Sequence, residues 1–242
     1  MRFNPDYWLG QCLDDFVAFK TLNDLVGDDT AIDSHLSSLV VISADGTSVP
    51  AEHAEQIRNH QITGVKNLIR HFGGLTIVGL CTSFEVAVRE FYEAWFFRYP
   101  SQLHEFVEHK SIKGTVPLAE VLRSDSKESL IKELAVKAAS NASQGKYSKI
   151  LIRASTLSKF EFPNDLQDRI SSIQEDRNNT VHEKLPHSGG IKEISEAYDI
   201  VSEAIMFLAD VAYKSGVPGA YSCLNPVEMV LTDMHFQSVS DA

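Results

Sequence analysis

Two residue types suited to phosphate chemistry stand five positions apart in the run Ile173-Gln174-Glu175-Asp176-Arg177-Asn178-Asn179-Thr180-Val181-His182-Glu183. An arginine guanidinium is a planar fork that matches the oxygens of a phosphate or carboxylate two at a time. A histidine imidazole titrates near neutral pH and can take or give a proton during a reaction. Asn178 lies four residues before His182, so the two stack on one flank of a helix. The three together read as a phosphate-binding and proton-transfer site.

Their placement on a helix sharpens that reading. With Leu166 set to zero, an ideal helix puts Ile170 at about 40°, Ile173 at about −20° and Arg177 at about 20°. Arg177 therefore falls in the middle of an apolar stripe. A charge there must be paired or must face a cleft, because an unpaired buried charge is costly. The structural alternatives are an ion pair from Arg177 to Glu85 or Glu175, and a helix-end cap for His182. An ideal helix also separates Arg177 from His182 by about 140°. One straight helix cannot aim both at the same atom. A second copy of the helix, or unwinding near Pro186, would bring them together, which argues for a symmetric dimer with the site at its interface.

The elements that must hold this helix read as mostly helical. Leu9, Cys12, Leu13, Phe16, Val17 and Phe19 recur at steps of three to four over 6–26, and Ala54, Ile57, Ile62, Val65, Leu68, Ile69 and Phe72 do so over 51–72. Gly73-Gly74 punctuates, and 75–98 is apolar nearly all round, which predicts a central, buried helix. Residues 39–42 followed by Asp45-Gly46 fit a short strand and turn or a helix end. A short helix with loops is expected over 101–125, then helices over 126–142 and 146–160, separated at Gly145. Asn164 reads as an N-cap with Gln167 in the reach-back position, and its helix runs to about Leu185, ahead of Pro186 and Gly189-Gly190. In the last helix, Ile191, Ile194, Tyr198, Val201, Ile205, Leu208 and Ala212 form an unbroken seam, ended by Gly216 and Pro218. The expected fold is an all-α antiparallel bundle over 56–216, with a helical N-terminal extension over 1–55 and an irregular tail over 217–242.

The chain has 242 residues, 43% hydrophobic, which suits one sizeable domain. Its formal net charge of −11 argues against broad coating of nucleic acid, which needs a basic surface. Against that background, 123–159 holds eight basic positions and three acidic ones (Asp125, Glu128, Glu133), a net of +5. Lys146, Lys149 and Arg153 share one helical face there. They read either as a solvated surface or as an RNA-binding funnel that leads an anion to the site.

Other chemistries are poorly supported. The three cysteines, Cys12, Cys81 and Cys223, are far apart and show no zinc or disulfide spacing. The remaining histidines, His35, His53, His60, His71, His104, His109, His187 and His235, form no helical metal pair. No glycine-rich phosphate loop appears, no cofactor is expected, and the aromatic run Phe91, Tyr92, Trp95, Phe96 and Phe97 reads as core or dimer surface. The N-terminus lacks an apolar signal core, and the run from Leu75 to Phe84 meets Glu85 short of a membrane span. A cytoplasmic protein without a membrane anchor is expected.

The segment Arg177-Asn178-Asn179-Thr180-Val181-His182 resembles the signature of the HEPN superfamily. That signature is an arginine, a polar residue, about three more residues and a histidine on a late helix of an all-α bundle. The stretch Leu80-Cys81-Thr82-Ser83-Phe84-Glu85-Val86 is similar to the apolar helix with an embedded glutamate seen in many members. The resemblance covers about residues 60–215. It implies a metal-independent endoribonuclease that dimerises through its motif-bearing helices. Arg177 would hold the phosphate, His182 would move protons, and Asn178 would orient the histidine or bind phosphate. Glu85, spaced i, i+4 from Arg89, forms an intrahelical pair with it or acts as a support that positions Arg177 or His182. Many members are toxins of toxin–antitoxin or phage-defence systems, silenced by an antitoxin protein, and others are non-catalytic interaction or nucleotide-binding modules.

Overall fold

The chain's most apolar stretch becomes the helix around which the others pack. A computed structural model describes residues 1–28, 30, 34, 51–109, 112–183 and 190–224, and within them the fold is all-α. Helix α1 spans Pro5–Gly27, α2 Ala51–Arg98, α3 Leu118–Arg123, α4 Lys127–Ala142, α5 Tyr147–Ser158, α6 Asn164–Asn178 and α7 Ile191–Lys214. A five-residue π turn, Asn179–Glu183, continues α6. A 3₁₀ turn over Pro100–Glu105 follows α2, and a two-residue antiparallel ladder pairs Glu108 with Lys113 and His109 with Ile112. The strand-and-turn reading of 39–46, the stops at Pro186 and Gly189, His35, His187, His235 and the tail beyond 224 lie outside the described residues.

The C-terminal half of α2 buries Ile77, Leu80, Cys81, Phe84, Phe91, Tyr92, Trp95 and Phe96 against α1, α4 and α7. Removing such side chains from water is the main favourable term in the fold. The aromatic run is therefore core: Tyr92 stacks on Phe96 at 5.8 Å, and its hydroxyl donates a 2.6 Å hydrogen bond to the Ile150 carbonyl. By length and composition α2 is also apolar enough to cross a membrane, with a window of mean hydropathy 1.4 that is half buried inside the fold. Gly73-Gly74 does not punctuate. Both glycines are buried inside one 48-residue helix, where the flanking helical runs outweigh a cost of about 1 kcal/mol per glycine.

The boundary expected between residues 55 and 56 falls inside α2. Helix α1 belongs to the same core as the rest, because Phe3, Cys12 and Phe19 join the cluster that contains Leu80 and Leu208. Its start is locked in place. Asn4 caps the helix by accepting from the Tyr7 amide at 3.3 Å, while the Asn4 amide and the Trp8 indole N–H both donate to Glu90 of α2. Farther along α1, Leu13 and Val17 face solvent.

Helix α7 follows its predicted seam, with Ile194, Val201, Ile205, Leu208 and Ala212 fully buried. It ends as Gly216 implies. Gly216 takes φ +65°, its amide donates to Tyr213, and the Val217 amide reaches back to Ala212 at 2.9 Å. The chain beyond is ordered against the N-terminus rather than irregular up to residue 224: Phe3 bridges Gly219, and Asp6 accepts from the amides of Ser222 and Cys223.

Candidate functional site

Helix α6 carries the motif, and its apolar row positions it. Leu166, Ile170 and Ile173 are buried, and Arg177 is the next member of that row, where the burial runs out. Pro163 rather than Asn164 is the capping residue, and Asn164 opens the helix without a side-chain cap. The α form stops at Asn178, several residues before the end expected from sequence.

From Asn179 to Glu183 the backbone forms a π turn. Its i→i+5 hydrogen bonds place more residues in each turn than an α-helix does. His182 therefore swings part of the way back toward the Arg177 face, compared with the divergence of a straight helix. The unwinding lies in the motif itself. Such π insertions are often found at functional sites.

Arg177 is gripped but not sealed. Its Nη1 donates a 3.1 Å hydrogen bond to Asn178 Oδ1, its Nη2 stands 3.9 Å from Glu85 Oε1, and its side chain keeps 28% of its surface exposed. The Nε atom is buried without a hydrogen-bond partner among the described residues. An unsatisfied buried donor costs free energy and calls for an explanation. The Glu85 contact sits at the outer limit of an ion pair, so the guanidinium has donors to spare. Glu175, the other partner foreseen for Arg177, forms no ion pair with it among the described residues.

Glu85 is held by a residue that sequence reasoning missed. The buried Tyr147 donates its hydroxyl to Glu85 Oε1 at 2.6 Å, and its ring packs edge-on against Phe84 at 4.9 Å. Burial first, then the neighbouring Cys81 and Glu85, push the Tyr147 hydroxyl far above its usual range, so it stays a donor. Nothing in the local pattern around Gly145-Lys146-Tyr147 signalled this contact. Cys81 lies beneath, its thiol pushed up to about 12, mainly by burial.

The other supporting residues divide. Arg89 does not pair with Glu85; it turns to Glu93 at 3.2 Å, which leaves Glu85 for Tyr147 and Arg177. Of the expected RNA-binding face, Arg153 folds back to donate to the carbonyls of Ala142 and Gln144 at 2.7 and 2.6 Å, closing the end of α4. That is a structural use, because the last carbonyls of a helix need partners. Lys146 and Lys149 remain exposed. His182 is exposed as well, and among the described residues it makes no hydrogen bond or ion pair.

A pocket of about 250 Å³ opens beside the motif, lined by Gly145, Lys146, Ser171, Gln174, Glu175 and Asn178. The last four stand at steps of three and four and form one polar stripe of α6 next to the Arg177 row. That stripe was visible in the sequence as a helical pattern but was not read as a wall. A second pocket of about 350 Å³, bordered by Lys66, Arg70 and Gly190, touches no motif residue. Among the described residues, no three histidine, cysteine or carboxylate side chains gather closely enough to hold a metal ion.

The fold and site thus define an all-α protein with an arginine–asparagine pair whose asparagine lines a small pocket. Compared with models of known families, with curated proteins and with solved structures, the chain matches none.

Proposed function

We propose that this protein is a metal-independent endoribonuclease of the HEPN type. The observation that supports the reading is Arg177: a guanidinium at the end of a buried row, oriented by Asn178, only loosely met by Glu85, and still open to a ligand. In the proposed reaction an RNA 2′-hydroxyl attacks the adjacent phosphorus. A new O2′–P bond forms, the P–O5′ bond breaks, and a 2′,3′-cyclic phosphate and a 5′-hydroxyl result. One imidazole takes the 2′-hydroxyl proton and another protonates the departing 5′ oxygen. Two copies of His182 across a homodimer formed by the motif-bearing helices supply both, which fits the exposure of His182 in a single subunit. Such proton transfer contributes ~10²–10⁴-fold. Arg177 stabilises the charge that grows on the phosphate oxygens. By analogy with the resembled family, the setting is a cytoplasmic toxin–antitoxin or phage-defence system with an antitoxin partner.

A second reading is a non-catalytic helical interaction or nucleotide-binding module. It is favoured by the Glu85 carboxylate opposite Arg177 and by a His182 side chain that makes no hydrogen bond or ion pair among the described residues. Incubation of the purified protein with RNA in EDTA separates the two. Under the ribonuclease reading RNA is cut, and Arg177→Ala or His182→Ala abolishes cutting without unfolding the protein. No cutting at any enzyme concentration, with partner binding retained by both variants, supports the module instead.

A further inference from the structure

The pocket beside the motif is lined by residues that carry unspent hydrogen-bonding groups of both signs. Gln174 is held at both ends of its amide: its Oε1 accepts from the Tyr147 amide at 2.9 Å and its Nε2 donates to the Gly145 carbonyl at 3.3 Å. Ser171 donates to the Gln167 carbonyl at 2.8 Å. These two are fixed wall. The side chains of Lys146 and Glu175 make no hydrogen bond or ion pair among the described residues, with each other included. Asn178 spends its oxygen on Arg177 and keeps its amide N–H groups. The lining residues therefore carry a carboxylate acceptor, an ammonium donor and an amide donor, the last on a residue of the motif.

We propose that this pocket is a guanine-recognition subsite, which names the substrate preference of the ribonuclease site and rests on that reading. A base read by its Watson–Crick edge must present groups that complement the wall. Guanine presents two adjacent N–H donors, N1–H and the N2 amino group, with the O6 acceptor beside them. The Glu175 carboxylate accepts both donors, and Lys146 donates to O6. Adenine and cytosine set a ring-nitrogen acceptor beside a single amino donor, so one carboxylate oxygen meets a lone pair. Uracil flanks its one N–H with two carbonyls, which the carboxylate repels. The volume, about 250 Å³, is below the ~300–1,000 Å³ of pockets for drug-sized ligands and has room for one ring system. Asn178 lines the pocket and also accepts from Arg177, which joins the pocket to the motif. RNA is then cut next to guanosines.

The test is equilibrium dialysis of the full chain against the four nucleoside 3′-monophosphates, alongside mapping of the 5′ ends of RNA cut by the same preparation. Guanosine 3′-monophosphate is expected to bind at least about tenfold more tightly than the other three, as a bidentate base contact discriminates. Glu175→Gln should erase the preference and Lys146→Met should weaken guanosine binding. Both variants should keep the wild-type melting curve, since neither side chain has a hydrogen-bond or ion-pair partner among the described residues. No nucleotide binding, equal binding of all four, or a preference that survives Glu175→Gln overturns the subsite. Guanine preference without RNA cleavage leaves the subsite standing and removes the ribonuclease reading. Cleavage with no guanosine at the cut sites does the reverse.

Discussion

Tyr147 donates its hydroxyl to Glu85 at 2.6 Å, and the accepting oxygen is the one that stands 3.9 Å from Nη2 of Arg177. The tyrosine thus takes part of the charge of the carboxylate that would otherwise close on the arginine. An ion pair shared in this way, with Glu85 exposed, is weak, and the guanidinium keeps its capacity for a stronger anion.

Tyr147→Phe should therefore act on both stability and the site. Loss of a side-chain hydrogen bond costs about 0.5–1.5 kcal/mol, readable as a lower urea midpoint. Glu85, released, should close on Arg177 and reduce RNA cleavage. A double variant with Glu85→Gln should restore part of the activity, measured as kcat at saturating RNA.

Arg153→Ala should lower stability by about 1–2 kcal/mol in urea denaturation, because it removes the donor from the Ala142 and Gln144 carbonyls. Lys149→Ala, an exposed side chain, should stay within about 0.5 kcal/mol of wild type. Both residues were expected in one RNA-binding face, so this pair of measurements distinguishes a helix-end stitch from a surface charge.

The junction between the start of α1 and the segment after α7 should be acid-sensitive. Burial raises the Asp6 carboxyl, but the hydrogen bonds from Ser222 and Cys223 outweigh it and hold the group below the usual carboxylate range. A depressed folded value means that the stabilisation is present above the unfolded value of about 3.9 and is lost as pH falls through the folded one. Asp6→Asn should cost about 1 kcal/mol at pH 7, discounted for solvent screening. It should also flatten the acid limb of the stability curve below about pH 4.

Gly219→Ala tests the same junction by sterics. A Cβ there would sit 2.3 Å from the Phe3 carbonyl oxygen, a backbone atom that cannot step aside. Overpacking of this kind costs about 1–3 kcal/mol, and a thermal melt should show a drop of several degrees.

Much of the bundle was legible because its signals are local. The α7 seam, the breaks at Gly145 and Gly216 and the buried C-terminal half of α2 follow from apolar spacing and turn residues a few positions apart. The errors came where one local signal competed with another. Gly73-Gly74 looked like a stop but lies inside a long helix, and Asn164 looked like a cap but follows Pro163, which takes that place.

For the site, sequence alone determined the row Leu166, Ile170, Ile173, Arg177, and with it a charged fork in line with the apolar stripe, since a helix's period is written in consecutive residues. Tertiary structure alone decided that Tyr147 and Glu85 meet at that fork, that Arg89 and Arg153 turn to other tasks, and that the backbone widens into a π turn before His182. Those outcomes depend on contacts between segments far apart in the chain, chosen by how whole helices pack, and no short-range pattern carries that information.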